Sequence, residues 1–358
     1  MKMFSCKTKI YMGSGMVSCI AQQNFQRLMV VADPFFSKNG WAERIGTQAA
    51  AYEIFDKITP DPSINLVAEG TARMLDFKPD SIVVIGGGSA MDCAKAMTYF
   101  SNLDIPLIAI PTTSGSGSEV TDFAILTHNG VKHPLVDKKL QPHMAILESE
   151  LLGEMPPSLI ADSGFDILSH ALEAWVGSNA NPMTDALAES AFRTAFSLLA
   201  SSFQGDKTVR LDVHIASTMA GLAFTQAGLG LCHALSHSLG GQFHVPHGRL
   251  NAILLPAVIG CNSEAASRKY AELSRRIGLG GSSDTMALRN LKNALTRLRN
   301  TLNLPSTLAQ AGVNLSELNQ KTEQIVSAAL ADPCCATNPL PVTEEMVHHV
   351  LREVAGRG

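Results

Sequence analysis

Charge and aromatics are scarce in this 358-residue chain: 17% of residues are charged and 6% are aromatic. The hydrophobic fraction of 46% rests instead on Ala, Leu, Ile, Val and 14 Met, which describes a compact soluble protein with ample apolar material to bury. There is no basic run or basic–aromatic patch, and the net charge is −4, so nucleic acid is a poor candidate partner. Seven cysteines are an odd number and form no Cys-x-x-Cys, which argues against a disulfide framework and favours a reducing cytoplasm. Cys232 beside His233 reads as a small buried residue. The opening MKMFSCKTKIYMG lacks the apolar core of a signal peptide. No apolar stretch approaches the ~18 residues of a membrane span. A soluble intracellular protein is therefore expected.

The length favours two domains over a single core. In the first part, LMVVAD (28–33), SIVVIGGG (81–88) and PLIAIP (106–111) are apolar strands without alternation. Helical spacing over 64–77 and 90–99 separates them, which predicts a parallel sheet covered on both faces. From Pro156-Pro157 onward the pattern is helical, with interruptions expected at Gly228–Gly230, Gly240-Gly241 and 278–283. The expected division is an α/β domain over 1–152 and an all-helical domain over 153–358.

Gly86-Gly87-Gly88-Ser89 follows a buried strand and opens a helix that carries Asp92 and Lys95. Glycines let a pyrophosphate approach the backbone, and the helix N-terminus offers N–H groups and partial positive charge. The same residues would also serve as an ordinary turn capped by Ser89. Thr112-Thr113-Ser114-Gly115-Ser116-Gly117-Ser118 adds hydroxyls at the end of a neighbouring strand, where α/β sheets bind ligands. Asp33, ending its strand, is placed either to accept from ribose hydroxyls or to cap the turn before Pro34.

Histidine is concentrated: His233, His237, His244 and His247 fall within 15 residues, four of the chain's 11. Upstream, Asp166 and His170 stand four apart in FDILSHALEAW and project from one helix face. An Asp-x3-His on one helix and a histidine cluster on another make a divalent metal site between helices. His244-x-x-His247 is an alternative chelating pair.

GGGSAMDCAK (86–95), IPTTSGSGSEVT (110–121), GFDILSHALEAW (164–175) and GLGLCHALSHSLGGQFHVPHG (228–248) closely resemble the iron-containing (group III) alcohol dehydrogenases. ITPDP (58–62) and NAILLP (251–256) agree as well. Within that family the chain looks most like the propanol dehydrogenases of bacterial propanediol- or ethanolamine-degrading microcompartments. The resemblance implies a Rossmann-like N-terminal domain and an all-α C-terminal domain, the dehydroquinate-synthase-like architecture. It implies Asp166, His170, His233 and His247 as ligands to Fe²⁺ or Zn²⁺, and His237 unligated beside nicotinamide and substrate. Gly87, Gly88, Ser89 and Asp92 would hold the pyrophosphate and nicotinamide side of NAD. Thr112, Thr113 and Ser116 would line the cofactor cleft, and Lys132 would lie near a ribose. It also implies a homodimer or higher oligomer and a cytoplasmic location, with encapsulation in a microcompartment.

The chain departs from the family at four points. Gly115-Ser116-Gly117-Ser118 replaces Gly-Thr-Gly-Ser, Phe165 replaces Met or Leu, and Glu148 replaces Asp. Arg249 replaces a small apolar residue after Gly248, where its charge would bear on the metal and on substrate preference. The resulting expectation is NAD-dependent interconversion of a short primary alcohol, propanol or ethanol, and its aldehyde. A zinc-dependent polyol dehydrogenase or dehydroquinate-synthase-like enzyme shares the architecture but usually has three protein ligands. A metal-dependent hydrolase would need a carboxylate base beside the metal, and no His-Glu-x-x-His is present.

Overall fold

The computed structural model describes residues 4–128 and 131–356. The described residues form two compact units, one of Ser5–Met155 and one of residues 156–356 together with Phe4. The first holds strands β1 (Lys9–Gly13), β2 (Arg27–Ala32), β3 (Ala51–Phe55), β4 (Ser81–Gly86), β5 (Leu107–Pro111) and β8 (Met144–Glu148) in one sheet. Their order is β1-β8-β5-β4-β2-β3 and all pairings are parallel. Helices α1 (Pro34–Lys38), α2 (Trp41–Gly46), α3 (Ile64–Phe77) and α4 (Gly88–Ser101) connect them.

Burial explains the unbroken apolar runs. Met29, Val31, Ile82 and Val84 enter one core with Met74, Ala94 and Met97 of α3 and α4. The alternate residues Leu28, Val30, Val83 and Ile85 enter the opposite core with Ile20 and Ile45. Because successive side chains point to opposite faces, only a strand buried on both sides reads as continuous hydrophobe. The connection from β2 leads outward to β3, and the chain returns to β4 on the other side of β2 before continuing to β5. The order thus reverses between β2 and β4, the place where such sheets bind ligands at strand carboxyl ends.

One antiparallel hairpin, β6 (Phe123–His128) with β7 (Val131–Val136), departs from the parallel pattern. The buried Lys95 fastens it: Nζ donates to Thr121 O at 3.0 Å, Thr121 Oγ1 at 2.9 Å and Phe123 O at 2.9 Å. Glu148 has a comparable structural use, its carboxylate accepting from the N–H groups of Gly15 and Val17.

The second unit contains α5 (Pro157–Val176), α6 (Pro182–Phe203), α7 (Arg210–Ala227), α8 (Leu231–Phe243), α9 (His247–Arg276), α10 (Asp284–Thr301), α11 (Leu315–Ala331) and α12 (Glu344–Ala355). Gly164 admits Leu199 of α6, whose Cδ1 lies 2.1 Å from where a Cβ would stand. Gly240-Gly241 does not interrupt the chain as its composition predicted. Helix α8 runs through both residues and stops at His244, whose φ of 54° is left-handed. Each glycine costs a helix about 1 kcal/mol relative to Ala, less than the buried side chains of Leu231, Leu235 and Leu239 recover from that face. Among the described residues, no single helix is long and apolar enough to cross a membrane.

Lys95→Met should lower the melting temperature of the α/β unit by several degrees. It removes a buried cation with three hydrogen bonds, a loss of about 2–4 kcal/mol. A melt unchanged in calorimetry would show that the hairpin is held by other contacts.

Candidate metal centre

Asp166, His170 and Glu173 occupy positions i, i+4 and i+7 of α5 and therefore share one face. The histidine-rich stretch is divided between two helices rather than carried on one. His233 and His237 lie on α8, His244 ends it, and His247 is the first residue of α9. Gly248 permits the approach of α9 to α5, since a Cβ there would stand 1.9 Å from the carbonyl oxygen of Asp162.

The ligating atoms of Asp166, His170, His233 and His247 all lie within 4.8 Å of one another. Asp166 Oδ1 is 3.5 Å from His247 Nε2, 3.7 Å from His233 Nε2 and 3.8 Å from His170 Nε2. These separations exceed hydrogen-bond length. Four ligands about 2.1 Å from a central ion would stand roughly 3.4 Å apart in a tetrahedron, and softer geometries are wider. One carboxylate and three imidazoles with this spacing fit a divalent cation such as Fe²⁺ or Zn²⁺. His244 is exposed and lies outside the group, which removes it as a chelating partner of His247.

The surroundings fix each ligand. Glu173 Oε2 accepts from His233 Nδ1 at 2.6 Å, so neutral His233 turns its Nε2 lone pair to the cluster. The same carboxylate accepts from the backbone N–H groups of Gly230 and Cys232, at 2.9 and 2.7 Å, and so caps α8. Asn251, one turn beyond His247, donates through Nδ2 to Asp166 Oδ1 at 2.7 Å. His170 stacks between Phe224 and His233, with ring centroids 4.4 Å from each.

Electrostatics match. Burial opposes ionisation of Asp166, but His170, His247 and His233 outweigh it and hold the carboxyl well below its ordinary range. Burial likewise opposes a charge on His233, yet Glu173 and Asp166 raise it to about 9. His247 is pushed well below the usual imidazole value by burial, against the pull of Asp166 and with the neighbouring histidines adding to the lowering. Arg249, whose charge was expected to bear on the metal, is paired with a carboxylate. Its Nε and a terminal nitrogen each donate to Asp162 at 3.0 Å, balancing the guanidinium one turn before Asp166.

His237 lies against the cluster without belonging to it. Its ring stacks on His247 at 5.2 Å and 16°, and Nδ1 is 2.8 Å from Asp332 Oδ2. Sequence reasoning missed Glu173, Asn251 and Asp332. Glu173 could have been found at i+7 from Asp166, and Asn251 at i+4 from His247.

In the α/β unit the two small-residue loops meet. A Cβ on Gly87 would lie 3.3 Å from Thr113, and one on Gly88 would lie 3.5 Å from Ser116. Thr112 N donates to Gly86 O at 3.0 Å. Gly86, at the turn, has φ of 158°, and a Cβ there would stand 2.6 Å from that of Ala90 and 3.2 Å from that of Asp33. Asp33 Oδ1 accepts from Phe35 N at 2.9 Å, so this residue does cap α1. Ser89 Oγ accepts from Asp61 N at 3.3 Å, and Asp61 pairs with Lys132 at 2.8 Å, which brings Lys132 to the loop. Asp92 commits both oxygens to the protein, accepting from Ser118 Oγ and Ile125 N at 3.2 Å each. Burial pushes its carboxyl up to about 6 against the pull of Lys95.

A carboxylate–imidazole metal centre, in one chain with a glycine loop at the switch point of a parallel sheet, defines a metal-dependent dehydrogenase architecture. Residues 7–149 match the iron-containing alcohol dehydrogenase family, and residues 160–355 match the C-terminal part of the Fe-containing alcohol dehydrogenase family. The chain belongs to the iron-containing alcohol dehydrogenases, a family of oxidoreductases. It is 39% identical to the 1-propanol dehydrogenase PduQ of Salmonella typhimurium, covering 99% of this chain and 100% of that one. It is 33% identical to an NADPH-dependent butanol dehydrogenase of Clostridium saccharobutylicum, covering 98% and 97%. Among solved structures, the iron-containing alcohol dehydrogenase of Thermococcus thioreducens superposes with a TM-score of 0.92 at 32% identity, covering 98% and 99%. Sulfoacetaldehyde reductase of Bifidobacterium kashiwanohense, solved with NAD⁺, gives 0.89 at 25% identity over 100% of both chains.

Two outcomes are expected for metal binding. Glu173→Gln puts an amide NH₂ among three donors and should weaken Zn²⁺ affinity about 10–100-fold in a chelator competition. An unchanged affinity would remove Glu173 from the support of the centre. Because His233 holds a proton up to about pH 9 in the metal-free chain, loading displaces it. Apparent affinity should then rise by up to about tenfold per pH unit from 7 towards 9 and level off above. A flat profile over that window would show that His233 is not a ligand.

Proposed function

We propose that this protein interconverts a short-chain primary alcohol and its aldehyde, 1-propanol/propanal or ethanol/acetaldehyde, using NAD(H). The observation that carries this reading is the convergence of Asp166, His170, His233 and His247, in a chain whose relatives include a 1-propanol dehydrogenase. Fe²⁺ is the proposed ion, and the same ligands accept Zn²⁺. Held by these residues, the ion would supply Lewis acidity and the nicotinamide would supply the hydride-transfer chemistry.

The protein's own residues do the rest. Asp166 and the three imidazoles hold the ion in a buried polar pocket, His237 exchanges the hydroxyl proton, and the Gly87–Gly88 turn with α4 receives the pyrophosphate. Thr112, Thr113 and Ser116 line the same loop pair. The end of β2 is the position proposed for the adenosine ribose, and there the Asp33 carboxylate would repel a 2′-phosphate, with Pro34, Phe35 and Phe36 following it in the sequence. A relative is named an NADPH-dependent butanol dehydrogenase, so cofactor choice is to be measured, and Asp33 is the residue we propose for it.

After anaerobic loading with Fe²⁺ or Zn²⁺, NADH should be oxidised in the presence of aldehydes of two to four carbons; absence of turnover across that series overturns the reading. The preference for NADH over NADPH in kcat/KM should narrow or reverse in Asp33→Gly. A wild type that favours NADPH, or a variant with an unchanged ratio, would leave Asp33 as a helix cap only. His237→Ala should retain metal and lose about 10²–10⁴-fold in kcat. A near-normal rate would make His237 a packing residue.

A further inference from the structure

Asp332 caps the C-terminal end of α11 and opens the 3₁₀ turn Pro333–Thr337. Both its oxygens are committed. Oδ1 accepts from Cys334 N at 2.8 Å, and Oδ2 faces His237 Nδ1 at 2.8 Å. The side chain is only 12% exposed and that of His237 only 20%. Burial would raise the Asp332 carboxyl, but His237 and the Cys334 N–H hold it down at about 2, so it is an anion at neutral pH.

A carboxylate only accepts, so Nδ1 of His237 must donate to it. A neutral ring is thereby restricted to the tautomer with its lone pair on Nε2. The stack on His247 fixes the ring plane. The hydrogen bond and the ring stack together define the orientation of the imidazole.

We infer that Asp332 is a positioning residue: it sets the tautomer and plane of His237 so that Nε2 takes the hydroxyl proton in alcohol oxidation and returns it in aldehyde reduction. The inference rests on the alcohol–aldehyde chemistry proposed above. In oxidation the O–H bond breaks as Nε2–H forms, and the carbinol hydrogen leaves with its electron pair for the nicotinamide. In reduction both transfers reverse.

Asp332→Asn tests it on the metal-loaded enzyme. The Cys334 N–H still requires an oxygen, so the new amide NH₂ must face His237 and donate to Nδ1, moving the ring proton to Nε2. Expected are full metal content, KM within about threefold of wild type, and kcat for oxidation reduced about 10²–10⁴-fold. Histidine ¹⁵N spectra, with His237 assigned by difference from His237→Asn, should show the change of tautomer irrespective of turnover. In the His237→Asn background the second substitution should cost nothing further. Asp332→Glu, which restores an accepting carboxylate, should recover part of the rate.

A variant with the Nε2–H tautomer and normal kcat overturns the inference. So does equal loss in the His237→Asn background, or loss of metal from Asp332→Asn. Failure of the wild type to oxidise any primary alcohol sinks the proposed function and the proton transfer together, whereas the ¹⁵N tautomer alone decides the positioning.

Discussion

The carboxylate of Glu173 is the constraint on which the helical unit turns. It lies almost wholly buried on α5 and accepts from His233 Nδ1 and from two backbone N–H groups that begin α8. A helix N-terminus has orphaned donors and a partial positive charge, and a buried anion satisfies both. The bond that orients the metal-facing imidazole is therefore also the bond that anchors its helix. Thr337 and Asn338 reinforce the same joint, Thr337 donating to Leu229 O and Asn338 Oδ1 accepting from Leu231 N. The entry of α8 is consequently held by side chains from two other segments before any ion binds.

Gathering four titratable groups in one place is unfavourable without a metal. Three imidazoles crowd a single carboxylate, and one of them, His233, takes up a proton to relieve the charge. The fold sustains this arrangement through close packing of helices, where glycines at 164 and 248 replace side chains that would separate α5 from α6 and α9. A bound cation replaces that proton and neutralises the same anion. The centre is thus built to gain most from an ion that the protein does not have to create space for.

Much of this was legible in the chain. Apolar runs without alternation specified strands buried on both faces, and β2, β4 and β5 have that form. Asp166 and His170 announced themselves by helical spacing; density marked the histidine cluster, and the family resemblance singled out His233 and His247 within it. What local pattern could not show was partnership across distance. Asp332 stands 95 residues from His237, and its bond exists only because the 3₁₀ turn after α11 reaches α8. Gly240-Gly241 misled in the opposite way, since packing against neighbouring helices overrode the glycine penalty. The pairing of Arg249 with Asp162 was likewise hidden, because the two become neighbours only when α9 meets α5 at Gly248.

His233 and His237 sit four residues apart on α8, and each is anchored through Nδ1 by a carboxylate from another segment. The chemistry of the anchor is the same in both. Their surroundings differ: the His233 side chain is 1% exposed and enclosed by the other ligands, while that of His237 is 20% exposed. A fully enclosed lone pair can serve only a group that stays in place, as a metal ion does. A partly open one admits a group that arrives and departs, although exposure alone does not exclude a ligand, since the His247 side chain is 29% exposed. One carboxylate–imidazole device thus recurs on adjacent turns of one helix at two depths, which would suit a fixed ligand at His233 and, on the proposal above, an exchangeable proton acceptor at His237.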